Sequence, residues 1–186
     1  ISLNRLDMKL VILDRDGTIN EDSADFVKSP SEWEPLPGAL EAIARLNGAG
    51  YHVAVATNQS GIERGLLDMN ALNAIHAKML KAAQQVGARI DVIYYCPHSG
   101  DVDCRCRKPL PGMFLDIGQR LNVPLAGVPC IGDGLRDLQA AAAAGAQPML
   151  VLTGKGAHTL AGGDLPEKTL VFDNLAGAVD HILATA

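Results

Sequence analysis

Residues 10–13 read Leu-Val-Ile-Leu, an unbroken apolar run that stops abruptly at Asp14. A strand of that composition has no polar side to turn toward water. It fits a sheet covered on both faces, the situation of a parallel sheet between helix layers. The theme recurs at residues 51–57, 90–95, 128–132 and 149–152, with Leu170–Phe172 as a short sixth strand. Amphipathic stretches separate these runs. Residues 37–47 place Leu40, Ile43, Ala44 and Leu46 on one helical face, and residues 68–86 do the same with Leu72, Ile75, Met79, Leu80 and Ala83. Pro111 suits the first turn of a helix reaching about residue 121. Residues 135–144 form an alanine-rich helix stopped by Gly145, and residues 175–183 form a closing helix. Strands alternating with helices predict an α/β domain with a three-layer, Rossmann-like parallel sheet. The expected domain spans residues 8–186. No separate cap domain is expected, because the loops at 19–36 and 96–108 are too short to build one. The first of these loops is long for a connection, which suits a lid or a binding loop.

Asp14 is followed two positions later by Asp16, then Gly17 and Thr18. Two acids at the carboxyl end of a buried strand are costly unless something neutralises them. If the strand geometry persists, both carboxylates point the same way. Hard oxygen ligands favour magnesium, which also takes a substrate phosphate oxygen. Taken alone, the stretch fits an Asp-Gly turn equally well.

Three later positions carry the same character. Thr57-Asn58-Gln59-Ser60-Gly61 ends the second strand with a hydroxyl, two amides and backbone N–H groups, a set that suits a phosphate and is also ordinary turn chemistry. Arg107-Lys108-Pro109 sets two cations before a helix start, fit for an anion or for solvent. Gly132-Asp133-Gly134 puts another acid at the end of the fourth strand, while Asp137 reads equally well as a helix-surface residue.

In order and spacing, Asp14-Arg-Asp16-Gly-Thr18, Thr57, Lys108 and Asp133 resemble the motifs of the haloacid dehalogenase superfamily. The resemblance covers nearly all of the chain from Met8 onward. It implies a haloacid dehalogenase-like fold and a magnesium-dependent phosphatase. Asp14 would be the nucleophile that forms an aspartyl-phosphate, and Asp16 the general acid and base. Asp14, the Asp16 backbone carbonyl and Asp133 would hold magnesium. Thr57 and Lys108 would bind the phosphoryl oxygens.

Cys96-Pro-His98 and Cys104-Arg-Cys106 lie in one loop. Three sulfurs and an imidazole make a closed tetrahedral set for zinc, with no position left for water. Free thiols or a local disulfide are the alternatives. With zinc the site is structural and stiffens the segment next to Arg107 and Lys108. Cys130 sits inside a strand and reads as a small core residue. His52, His76, His158 and His181 have no ligand-like neighbours.

The cysteine loop narrows the resemblance to the heptose-1,7-bisphosphate 7-phosphatase family. In that family Asn58, Gln59, Ser60, Arg107 and Lys108 would contact the sugar phosphate, and removal of the 7-phosphate would serve lipopolysaccharide precursor synthesis. Gly134 stands where such proteins often have Lys. Histidinol-phosphate phosphatases, which share the loop, and a non-catalytic sugar-phosphate binding module are the rival readings.

A net charge of −5 argues against a general nucleic-acid or anionic-membrane surface. No apolar stretch is long enough to span a bilayer. The first residues lack a signal-peptide pattern, since Arg5, Asp7 and Lys9 interrupt any apolar region. A monomer in the cytoplasm is expected, acting on a small sugar phosphate. Residues 1–7 do not fit the fold pattern, so Met8 is the expected native start and the residues before it an appended segment.

Overall fold

The structure is a computed structural model that describes residues 8–186. The expectation for residues 1–7 lies outside the described residues. Six strands, β1 (Lys9–Leu13), β2 (Tyr51–Asn58), β3 (Val92–Cys96), β4 (Pro129–Gly132), β5 (Gln147–Val151) and β6 (Leu170–Phe172), form one sheet in the order β3-β2-β1-β4-β5-β6. Every neighbouring pair is parallel. Six helices cover it: α1 (Ala39–Gly48), α2 (Met69–Gln85), α3 (Gly112–Leu121), α4 (Leu135–Ala143), α5 (Gly156–Gly162) and α6 (Leu175–Thr185).

The apolar run of β1 divides its residues as a pleated strand must. Val11 and Leu13 join one core with Leu40 and Ile43 of α1, Leu72, Ile75 and Met79 of α2 and Val179 of α6. Leu10 and Ile12 join the other core with Met113, Phe114 and Ile117 of α3 and Ala140 and Ala141 of α4. The small alanines let α4 lie close to the sheet. No helix among the described residues is long and apolar enough to cross a membrane.

The strand order reverses between β1 and β4. In open parallel sheets a crevice forms there, outside the carboxyl ends of the strands. Asp14 follows β1 and Asp133 follows β4, so the topology brings together two acids far apart in sequence.

Two expectations change. The stretch at 19–36 is not a free lid. Glu21 N bonds Glu34 O and Leu36 N bonds Ile19 O, both at 2.9 Å. Trp33 is fully buried, and Lys78 Nζ donates to the carbonyls of Pro30 and Trp33 at 2.6 and 2.8 Å. Only the tip, through Asp22, Ser23, Ala24 and Phe26, reaches the cleft. The second change is α5, a short helix that no apolar periodicity announces.

Candidate active site

A cleft of about 620 Å³ opens over the β1–β4 reversal, with Asp14, Asp16, Thr57, Lys108, Asp133 and Asp137 among its lining residues. At its centre is the buried ammonium of Lys108. Its three donors are all used: Asp137 Oδ1 at 2.5 Å, Ala56 O at 2.8 Å and Asp14 Oδ1 at 2.9 Å. Burial disfavours the charged amine, but the two carboxylates more than offset that and raise its pKa above the ordinary lysine range. Asp137 is therefore no helix-surface residue. It is buried on the first turn of α4 and also accepts from Gly134 N at 3.0 Å. Periodicity cannot reveal this, because the partner lies 29 positions away.

Oxygens of Asp14, Asp133 and Asp137 lie within 4.8 Å of one another. With all three ionised, and one ammonium bonded to Asp14 and Asp137, two negative charges would be uncompensated. Burial, reinforced by Asp137, pushes the Asp14 carboxyl well above the usual carboxylate range and Asp133 to about 6. A set of hard oxygens with that surplus fits a divalent cation such as magnesium. Asp133 is tightly enclosed. Its Oδ2 accepts from Lys155 N at 2.8 Å, and its backbone carbonyl accepts from Thr159 Oγ1 at 2.7 Å. Gly17 (φ 80°) and Gly154 (φ 54°) lie against the same carboxylate, and a methyl group on either would overlap it. Thr153 Oγ1 donates to Gly17 O at 2.7 Å and ties the two turns together.

Asp16 lies beyond the end of β1, so strand alternation does not set its direction. Its neighbours do. Oδ1 accepts from Arg15 Nε at 2.8 Å and Asn20 Nδ2 at 2.9 Å, and Oδ2 accepts from Gln59 Nε2 at 3.2 Å. Burial raises the Asp16 carboxyl, but the Arg15 charge and these donors outweigh it and hold the pKa below the ordinary value. Gln59 also donates to Thr57 Oγ1 at 2.9 Å. Asn58 uses both ends of its amide on the Lys108 backbone, donating to O at 3.1 Å and accepting from N at 3.0 Å. These two amides, read from sequence as substrate contacts, thus brace the site. Ser60 and Arg107 line the cleft, and Arg107 Nη1 also donates to His98 O at 3.1 Å. Arg15, Asn20 and Asp137 are the site residues that sequence reasoning missed.

Beside the cleft, Cys96, His98, Cys104 and Cys106 bring their ligand atoms within 4.8 Å of one another. Cys96 Sγ is 3.8 Å from Cys104 Sγ and 3.5 Å from His98 Nδ1, and Cys106 Sγ is 3.4 Å from His98 Nδ1. Corners of a tetrahedron with zinc–sulfur bonds of ~2.3 Å lie about 3.8 Å apart, so these edges fit zinc. Cys96 and Cys106 are closer, at 2.8 Å, still well beyond a disulfide bond. Burial pushes Cys96 up to about 12. Burial also raises Cys104, but the Arg107 backbone N–H and the neighbouring thiols outweigh it and bring it to about 7. Cys130 is buried in β4, away from this set.

A family model described as polynucleotide kinase 3 phosphatase matches residues 9–129, and one described as HAD-hydrolase-like matches residues 105–178. The D-glycero-beta-D-manno-heptose-1,7-bisphosphate 7-phosphatase of Bordetella bronchiseptica is 59% identical over 96% of this chain and 100% of its own length. The protein of that name from Pseudomonas aeruginosa is 52% identical over 94% of this chain and 97% of its own. The crystal structure of D,D-heptose 1,7-bisphosphate phosphatase from B. bronchiseptica, complexed with magnesium and phosphate, superposes with a TM-score of 0.95 over 96% of this chain and 100% of that one, at 59% identity. With relatives this similar along almost its whole length, the chain belongs to the haloacid dehalogenase-like phosphatases, in the group of the heptose-1,7-bisphosphate 7-phosphatases.

Proposed function

We propose that this chain hydrolyses the 7-phosphate of D-glycero-D-manno-heptose 1,7-bisphosphate, a step toward nucleotide-activated heptose, through an aspartyl-phosphate on Asp14. The observation that carries the reading is the cluster of Asp14, Asp133 and Asp137 at the sheet's reversal point, with buried Lys108 bonded to the first and the last. Its two uncompensated negative charges call for a divalent cation. Asp14, the Asp16 backbone carbonyl and Asp133 would hold that ion. When bound, magnesium offsets the repulsion between the Asp14 carboxylate and the incoming phosphate.

The residues then divide the work. Asp14 attacks phosphorus in line, and the bond to the sugar O7 breaks as the new P–O bond forms. Asp16 gives its proton to the departing O7. It next takes a proton from water, which attacks the aspartyl-phosphate and frees inorganic phosphate and Asp14. Arg15 keeps Asp16 ionised in the free site. A phosphate dianion beside it favours the protonated form again, which is the form the first step needs. Lys108 neutralises charge on the transferring group, and so must yield part of its hold on Asp14 or Asp137. Thr57 binds a further phosphoryl oxygen, while Ser60 and Arg107 orient the sugar.

Cys96, His98, Cys104 and Cys106 bind one structural zinc that fixes the loop carrying Arg107 and Lys108. The whole is one domain over residues 8–186, working as a monomer in the cytoplasm, where thiol ligands stay reduced. The test is phosphate release from the heptose bisphosphate and from histidinol phosphate, with and without EDTA. Faster turnover of the heptose bisphosphate, abolished by EDTA and restored by magnesium, is expected. Preferred turnover of histidinol phosphate would overturn the substrate and leave the mechanism in place.

A further inference from the structure

Arg15 is fully buried although it carries a guanidinium. A buried cation is costly in proportion to the donors it leaves unmet. On one edge, Nε donates to Asp16 Oδ1 at 2.8 Å, while Nη2 lies 2.8 Å from the same oxygen as an ion pair with no hydrogen bond of its own. On the other, Nη1 lies 3.1 Å from His76 Nε2. This second contact fixes a proton. A guanidinium has no acceptor, so His76 Nε2 must accept and the ring proton must sit on Nδ1. His76 stands on the buried face of α2 with Leu72, Ile75 and Met79. Burial and the Arg15 charge lower its pKa to about 4, so the accepting, neutral ring persists at neutral pH. The phosphoryl-transfer chemistry makes no direct use of it.

We infer that His76 is a positioning residue: by accepting from Arg15 Nη1 it holds the guanidinium in the orientation that aims the Asp16 carboxylate at the leaving oxygen. The inference rests on the reading of Asp16 as acid and base. Asp16 Oδ1 depends on Arg15 and Asn20, and Oδ2 depends on Gln59 alone. Without an acceptor at position 76, Nη1 joins Nη2 as a second buried nitrogen of Arg15 with no hydrogen bond. It then turns toward another acceptor and draws Asp16 with it. Helix α2, which contributes no group to the chemistry, would in this way set the efficiency of a proton transfer.

The experiment compares two leaving groups in single turnover, so that only the first half-reaction is read. The heptose bisphosphate releases an alkoxide that needs a proton, and para-nitrophenyl phosphate releases an anion that does not. His76→Ala, and His76→Leu, which keeps the volume without an acceptor, are expected to slow release from the heptose bisphosphate roughly tenfold to a hundredfold, with half-saturation nearly unchanged. They should slow the aryl phosphate far less. His76→Gln, whose Oε1 offers an acceptor near the same place, should recover most of the rate. Equal slowing of both substrates, or full activity in His76→Leu, overturns the inference. Asp16→Asn is run alongside. If it also lacks the leaving-group dependence, the reading of Asp16 falls and the role of His76 falls with it. If it shows the dependence and the His76 variants do not, only the role of His76 falls. Nitrogen NMR of the unaltered protein gives an answer even if the variants fail to fold. An Nδ1–H ring is expected, and an Nε2–H ring overturns the inference.

Discussion

Lys108 belongs to two regions held together by different means. Around its ammonium, Asp14, Asp133 and Asp137 stand at the ends of β1 and β4 and on the first turn of α4, with backbone N–H groups and two glycines fixing their directions. Its own chain segment leaves Cys96 at the end of β3 and runs to residue 111 with no helix or strand. The acid cluster is thus placed by the sheet before any ligand arrives, and what it lacks is positive charge. The cysteine loop lacks backbone order, and its four converging ligand atoms could supply that through a metal. A site can therefore be complete in position and incomplete in charge, or the reverse, and each deficit calls for a different kind of ion.

The largest effect is expected where the two regions meet. Lys108→Ala leaves Asp14 and Asp137 facing each other without a cation. Activity on every substrate should fall about a hundredfold to a thousandfold. Stability in urea should fall by about 3–5 kcal/mol, the scale of a buried pair that has lost one partner. Unchanged stability would mean that the sheet does not need this charge. Next in size is the loop. Purified protein should carry one zinc per chain, and Cys104→Ser should lower activity roughly tenfold or more, the scale of a disturbed metal shell. Hydrogen exchange should quicken over residues 97–110 while β1 and β4 stay protected. Exchange quickening across the whole sheet would erase the contrast between the regions.

Arg107→Ala sharpens the contrast from the substrate's side. A charge-assisted contact to phosphate is worth roughly 1.5–3 kcal/mol. The heptose bisphosphate should therefore lose about tenfold to a hundredfold in kcat/KM relative to an aryl phosphate. Equal loss on both would place Arg107 with Lys108. The smallest effect concerns pH. His76 has an ordinary pKa of 6.5, lowered to about 4 in the fold by burial and Arg15. Between those values the unfolded chain holds more protons at position 76, so the His76 contribution to stability should decline as pH falls through that window, by at most about 3 kcal/mol, while the raised Asp14 and Asp133 carboxyls act in the opposite direction over part of it. The difference in stability between the unaltered protein and His76→Gln should therefore shift against the unaltered protein as pH falls, as followed by thermal melts of both from pH 7 to 4.

The strands and the ends that carry Asp14, Thr57 and Asp133 were legible because apolar runs are local signals. The cysteine spacing was legible for the same reason. Asp137 and His76 were not, since each takes its role from a partner distant in sequence, and Arg15 was not, since its burial between Asp16 and His76 exists only in the fold. Position 137 reads as helix surface until Lys108 is placed against it. Asn58 and Gln59 were found as site residues, but the structure gives their amides to Lys108, Asp16 and Thr57, a distinction only geometry makes. Helix α5 escaped because seven residues bounded by Gly156 and Gly162 offer too few turns for a period to show.

The enclosure of Asp133 by Gly17 and Gly154 bears on how a complete substitution map of this protein should be read. Both positions would score as intolerant as Asp14 itself, because any side chain there displaces the same Asp133 carboxylate. Neither glycine contributes an atom to the reaction. In such a map, emptiness at two points 137 residues apart would look the same as chemistry.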